Sequence, residues 1–424
     1  MIRRRLPWTA PLILAAITAS GDLHAAPSES TIPGWPPKLG ASVWTRYEMR
    51  ENYDRLGVSR GRFQEGNFAV YRARFTLETA PIALGSGPEV VLRFSPQADG
   101  FWGDQPSTIS NPNVGFYEAF LRLQGESYQF DVGHFSMNYG DALIIGDLRW
   151  HQRARSFDGA RLRLDAGPGS WFDLFFTQLD EGLGGTDPTA FAGDVFFTGM
   201  YASLGQLLST STTLEPYFLA QIWTSQSDGD AVVARSAVQG TAGLRFVQKA
   251  GAVDFRFEGG FQFGKRRVGA ANPDVTAFQV DGEIGVTVAR GFRLSLGGLF
   301  ASGDDPTTGD KLESYDELFP TTHKFLGLSD VIGIRSNIAS GVFHLKYAGL
   351  KRWVFLFDQH LFVRPETAEG QPSFAGVESD LNIVYKLGNG MTLRTLYALF
   401  VPGDDHFQAN DIVHYVELQY GINL

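Results

Sequence analysis

From about residue 40 to the last residue, apolar and polar positions alternate in segments of roughly 10 to 14 residues that recur about every 20 residues, the period of β-strands. In one segment Ala69, Tyr71, Ala73, Phe75 and Leu77 alternate with Arg72, Arg74, Thr76 and Glu78. In another, Val253, Phe255, Phe257, Phe261 and Phe263 alternate with Asp254, Arg256, Glu258 and Gln262. One face is apolar and the other charged. Strands of soluble sandwiches usually run about 5 to 6 residues. These are roughly twice as long and keep aromatics near both ends, as strands that cross a membrane do. Beyond the amino-terminal segment no run of about 18 apolar residues occurs, which excludes a bundle of membrane helices.

The connectors also alternate. Short ones fall at 125–127, 166–169, 289–291, 348–350 and 388–390, with somewhat longer ones near 80–88, 206–212 and 249–252. Long ones lie between them, near 51–66, 99–113, 138–156, 179–194, 225–234, 264–275, 302–336, 363–375 and 402–411. Nine long and eight short connectors predict an all-β fold, a transmembrane antiparallel barrel of about 18 strands with short periplasmic turns and long extracellular loops. Val416, Leu418, Tyr420, Ile422 and Leu424 carry the alternation to the carboxyl terminus. That closing strand resembles a signal for the barrel-assembly machinery, which usually ends in Phe.

The first residues add an export route. Met1 to Arg5 is basic and Leu6 to Ala19 mostly apolar, the plan of a secretory signal and too short for a membrane span. Cleavage after Ala25 is preferred over Ala26, because Pro27 would follow the later cut. The expected organisation is a signal peptide at 1–25, a Pro- and Ser-rich periplasmic segment at 26–39 and a barrel at 40–424. The sequence has no Cys, which excludes a lipoprotein anchor, disulfides and thiolate chemistry.

Formal charge is −10 for the whole sequence, and removing residues 1–25, with three Arg and one Asp, leaves −12. So acidic a chain gives nucleic acid no electrostatic footing. Its bases are unevenly spread: 28 Arg against 8 Lys, with 14 of the Arg between Arg46 and Arg163, a stretch that contains no Lys. A planar fork that binds carboxylate or phosphate bidentately is thus preferred over a point charge. On the two-residue period Arg46, Arg50, Arg72, Arg74, Arg93, Arg122, Arg161 and Arg163 face inward, as do Asp281, Glu283, Glu378, Asp380 and Glu417 on later strands. Such a wall suits a sliding polymer bearing carboxylates and hydroxyls. It suits a nonspecific porin equally, since inward positions of any barrel meet water.

Two stretches carry a more specific signal. One runs Gly133-His134-Phe135-Ser136-Met137-Asn138-Tyr139-Gly140-Asp141-Ala142-Leu143-Ile144-Ile145-Gly146-Asp147-Leu148-Arg149-Trp150, followed by Arg155-Ser156-Phe157-Asp158-Gly159. The other is Leu318-Phe319-Pro320-Thr321-Thr322-His323. In this order they resemble the alginate export family of outer-membrane barrels. That resemblance implies a monomeric duct for an acidic polysaccharide, narrowed by inward loops. Leu143 stands where the family usually has a basic residue, and His134 and Phe135 where Arg-Gln is common. These departures point from alginate toward another exopolysaccharide.

The loop after the fifth strand is the expected constriction, because Arg149, His151, Arg153 and Arg155 lie beside Asp141, Asp147 and Asp158 and a folded-in loop must pair its charges. The same residues could serve only to fix the loop. His323 and Lys324, in the other long loop, would line the pore or touch lipopolysaccharide phosphate. The acidic tips Asp228-Gly229-Asp230, Asp304-Asp305 and Asp404-Asp405 read as solvated loops rather than calcium sites. No mature His sits in a nucleophile motif, so neither catalysis nor a cofactor or metal is expected. The expected partners are a polysaccharide polymer, outer-membrane lipid and lipopolysaccharide, and a separate periplasmic export or scaffold protein. The competing reading is a small-solute, anion-preferring diffusion porin.

Overall fold

The computed structural model describes residues 36–58, 65–103, 113–181, 193–205, 209, 211–228, 231–305, 307–309, 311–403 and 406–424. The expected signal peptide, most of the 26–39 segment, much of several long connectors, and the acidic tips at 229–230 and 404–405 lie outside these residues.

Eighteen long strands form the wall. The first six are β1 (Lys38–Glu51), β2 (Gly66–Glu78), β3 (Glu89–Phe101), β4 (Asn113–Gln124), β5 (Tyr128–Phe135) and β6 (Phe157–Asp165). Next come β7 (Ser170–Asp180), β8 (Val195–Gly205), β9 (Thr212–Trp223), β10 (Ala237–Ala250), β11 (Val253–Lys265) and β12 (Asp274–Ala289). The last are β13 (Phe292–Ala301), β14 (Ile338–Tyr347), β15 (Trp353–Val363), β16 (Phe374–Gly388), β17 (Met391–Pro402) and β18 (Val413–Asn423). Each pairs antiparallel with its sequence neighbour, and β1 pairs with β18 through Thr45 opposite Tyr420 and Tyr47 opposite Leu418. The sheet is therefore closed and leaves no unpaired edge. At the seam the terminal Leu424 amide donates to Ala41 O at 2.8 Å, so the last residue of the sequence helps to close the ring.

Alternation sorts side chains as expected through the middle of the strands. Phe255, Phe257, Phe261 and Phe263 of β11 are exposed on the outside, whereas Glu258 and Gln262 are buried inside. At the short-turn end Phe292 packs on Tyr347 at 4.2 Å and Trp353 on Tyr385 at 4.4 Å, forming part of an aromatic girdle. Phe261→Arg, on the outer face midway along β11, is expected to destabilise the barrel by about 2–4 kcal/mol in lipid. Urea unfolding in vesicles measures this; an unchanged midpoint would place Phe261 away from hydrocarbon.

The interior departs from a simple polar lining. Near the long-connector end, inward positions are apolar: Phe157, Phe197, Leu219, Val275, Ala277, Ala301, Ile338, Phe362, Phe400 and Val413 are all buried. Two long connectors fold into the barrel and cover them. Leu143, Tyr315, Phe325, Leu326, Val331 and Ile332 pack on the wall residues of β12 to β18. Met137, Tyr139, Ile144 and Ile145 pack on Phe120, Phe175, Tyr201 and Tyr217. The barrel thus has an internal hydrophobic core, built by loop 136–156 and the segment 311–337 against the upper wall.

Candidate functional site

The two inner loops are tied to each other first. Ile145 bridges Phe319, with Gly146 N–H donating to Phe319 O at 2.8 Å and Phe319 N–H to Ile144 O at 3.1 Å. Thr321 N–H donates to Ala142 O at 2.9 Å. Arg155 completes the junction, its Nη1 reaching the carbonyls of Gly146 at 3.0 Å, Phe319, and Pro320 at 3.1 Å. Burial without a carboxylate in bonding distance pushes the Arg155 pKa down to about 10. Arg335, buried, donates to Leu143 O and adds a second tie.

The sequence motifs turn out to be the docking surfaces of these loops. Tyr139 stacks on Tyr201 at 4.4 Å and donates its hydroxyl to Asp173 at 2.8 Å. Gly140 adopts φ +53°, and a Cβ there would meet Arg245 Cδ at 2.7 Å, so the motif needs glycine for both conformation and close approach. Asp141 receives Arg245 at 2.9 Å, with Arg256 at 3.4 Å. Burial alone would raise the Asp141 pKa, but Arg245, Lys324 and Arg256 hold it below the ordinary carboxylate value.

Wall arginines pair with carboxylates along β1 and, farther round, across neighbouring strands. Arg46 donates to Glu48 at 2.7 Å and to Trp150 O at 2.6 Å; Arg50 reaches Glu48 at 3.1 Å. Arg93 bridges Glu78 and Glu118 at 2.8 and 2.7 Å. Asp131 takes both Arg122 and Arg161 at 2.7 Å, and Asp173 takes Arg163 through two bonds of 2.6 and 2.7 Å. Arg72 and Arg74 differ. Arg72 donates to Arg149 O at 3.0 Å, and Arg74 holds Gln97 at 2.6 Å and lies over the Tyr117 ring at 3.3 Å. Neither has a carboxylate partner among the described residues. These two form a short cationic seam between the first loop and the wall, while Arg155 lies apart at the junction of the two loops.

The remaining predicted residues fall into three groups. Arg149 pairs with Asp147 and Arg153 with Asp99 at 3.5 Å; both side chains are mostly exposed, at 72% and 63%. His323 and Lys324 lie inside the barrel, which overturns the lipopolysaccharide reading for both. His323 stacks on Trp150 at 4.2 Å and its Nδ1 is 3.0 Å from Asp330, while Lys324 Nζ donates to Asp141 O at 3.2 Å. Burial lowers the Lys324 pKa from its ordinary value, against the pull of Asp141. Asp158 is a correction. Phe157 turns into the core, so the next residue on the strand turns outward, where Asp158 meets His134 Nδ1 at 2.8 Å on the outer wall. It is no part of the constriction.

His151 makes the loop pH-sensitive. Burial, then Arg46 and Arg153, lower its pKa from 6.5 to about 4, and its Nδ1 accepts the Arg153 N–H at 3.2 Å. The docked loop therefore binds fewer protons than a released one. Docking is at full strength above about pH 6.5 and weakens as pH falls toward 4. Channel conductance is expected to rise across that window and His151→Gln to abolish the step; a step that survives in the variant would refute the assignment.

Sequence reasoning missed Arg245, Asp173 and Arg335, and placed Arg256 on a charged face without assigning it to the site. Arg245, Arg256 and Asp173 occupy inward positions of β10, β11 and β7 and were accessible to the same period-2 argument. Arg335 lies in a loop and has no local signature.

A family model described as Alginate export matches residues 37–414. This chain belongs to the alginate export family. No curated protein matches the sequence. Among solved structures, Pseudomonas aeruginosa OccK10 (OpdN) is similar with a TM-score of 0.63 and 14% identity, covering 92% of this chain and 99% of that one. Acinetobacter baumannii OccAB3 gives 0.63 and 10%, over 92% and 99%. Pseudomonas aeruginosa OpdK, solved with vanillate, gives 0.62 and 12%, over 92% and 98%. These likenesses establish the fold, and with the family they place this alginate export family barrel in the outer membrane as a channel.

Proposed function

We propose that the channel secretes an exopolysaccharide, a polar or anionic polymer, through an arginine-lined lumen, and that the described arrangement is its closed state. The observation that carries this reading is the cationic seam: Arg72 and Arg74 lie without carboxylate partners beneath a loop held by hydrogen bonds and packing rather than by the closed sheet. When the loop lifts, those guanidiniums become free to pair with polymer carboxylates, as bidentate forks do. A resting plug also suits a polymer exporter, which must stay tight between chains. The polymer requires a driving partner, which we propose is a separate periplasmic export or scaffold protein, and the barrel acts as a monomer.

A second reading, a small-solute porin, is supported by the similar barrel solved with vanillate. Liposome swelling separates the two. Vesicles carrying the purified barrel are expected to swell no faster than empty ones in small sugars or vanillate. Rapid swelling would favour the porin.

A further inference from the structure

Strands β14, β15 and β16 bring together a cluster that the channel reading does not use. Asp358 and His360 are two residues apart on β15 and so share its inner face. Asp380 of β16 stands opposite Asp358 in the register, and Glu378 opposite His360. One ligand atom from each of Asp358, His360 and Asp380 lies within 4.8 Å of the others. His344 of β14, opposite Asp358 from the other side, holds its carboxylate at 2.6 Å.

The electrostatics of this cluster are unfinished. Asp358, Glu378 and Asp380 have no Arg or Lys ion-pair partner among the described residues; their only basic neighbours are His344 and His360. His360 is 3% and Asp380 1% exposed, yet His360 Nδ1 and Asp380 Oδ1 have no hydrogen-bond partner. Every other strongly buried wall carboxylate described above has a guanidinium. A buried carboxylate pair without a guanidinium or ammonium partner, next to an imidazole whose Nε2 stands 3.7 Å from Asp380 Oδ2, is the donor set that a divalent cation neutralises.

We infer that Asp358, His360 and Asp380 bind a divalent transition-metal ion of the Zn²⁺ type inside the barrel wall. The nitrogen donor and small ligand number disfavour Ca²⁺ and Mg²⁺, which prefer six or more oxygens. Bonds of about 2.0–2.2 Å to such an ion put donors about 3.4 Å apart, so the side chains close in by roughly 1 Å. His344 orients the Asp358 carboxylate as a neighbour of the ligand set. The inner loop is fastened at the same place: Leu328 N–H donates to Asp380 Oδ2 at 3.2 Å, and Ser329 donates to Glu378 through its N–H at 2.8 Å and its hydroxyl at 2.7 Å. The carboxylate of Asp380 serves both the ion and the loop, so metal binding stiffens the anchor of the plug. The assignment is independent of whether the channel carries a polymer or a small solute.

The test is Zn²⁺ titration of the detergent-purified full barrel, stripped with chelator, against a colorimetric competitor. Folding is checked by heat-modifiable gel mobility. One equivalent is expected to bind wild type, with affinity at least tenfold weaker in H360A and in D358N, and unchanged in H134A on the outer wall. Ca²⁺ and Mg²⁺ are expected not to compete. Absence of stoichiometric binding by folded wild type, equal affinity in folded H360A and D358N, or preference for Ca²⁺ would each overturn the site. If H360A does not fold, D358N decides alone.

Discussion

Arg155→Ala is expected to raise the open fraction of single channels in planar bilayers about thirtyfold while the closed barrel still assembles, with wild-type heat-modifiable gel mobility. The argument rests on what Arg155 holds. It donates to three backbone carbonyls, one in its own loop and two in the other, and touches no strand through these bonds. Hydrogen bonds from a charged donor contribute about 1.5–3 kcal/mol. Losing about 2 kcal/mol from the docked state alone shifts a two-state equilibrium about thirtyfold. The wall is held by eighteen paired strands, none of which depends on this side chain. Conductance that stays at the wild-type level would mean that the apolar packing of Leu143, Ile144 and Ile145 suffices to keep the loops in place.

The second large effect is expected from reversing the seam. The double substitution Arg72→Glu with Arg74→Glu changes four charges at a point where no described carboxylate is bonded to the native guanidiniums. Fields in narrow, low-dielectric passages alter local ion concentration by roughly tenfold or more. The expected result is a channel that changes from anion to cation preference in reversal-potential measurements, together with at least a tenfold fall in secreted polymer. Arg72→Gln with Arg74→Gln, which removes charge but keeps polar length, should fall between. Unaltered selectivity in both would show that ions cross elsewhere in the lumen.

Much of this architecture is written plainly in the chain. Alternation at Phe255 to Phe263 identified β11 and its outer face, because a strand in lipid leaves each side chain only one suitable side. Connector lengths counted eighteen strands, and the two motif stretches proved to be the inner loops. What alternation misses is where loops replace water. Phe157 and Phe197 are apolar yet inward, because Phe319 of the second loop packs on both at 5.3 and 4.8 Å. Asp158 was counted with the charges of the folded-in loop, whereas it already lies on β6, where the phase of the strand is set by Phe157 beside it. The roles of Arg155 and Arg335 were out of reach, since each depends on carbonyls brought close by the meeting of two loops distant in sequence.

The measurement that bears most directly on polymer secretion is extracellular polysaccharide, by dye binding and sugar analysis, in a strain lacking this protein and in the same strain carrying it again. Secretion through this barrel predicts loss of the polymer in the first and its return in the second. Wild-type amounts of polymer in the strain without the protein would contradict it.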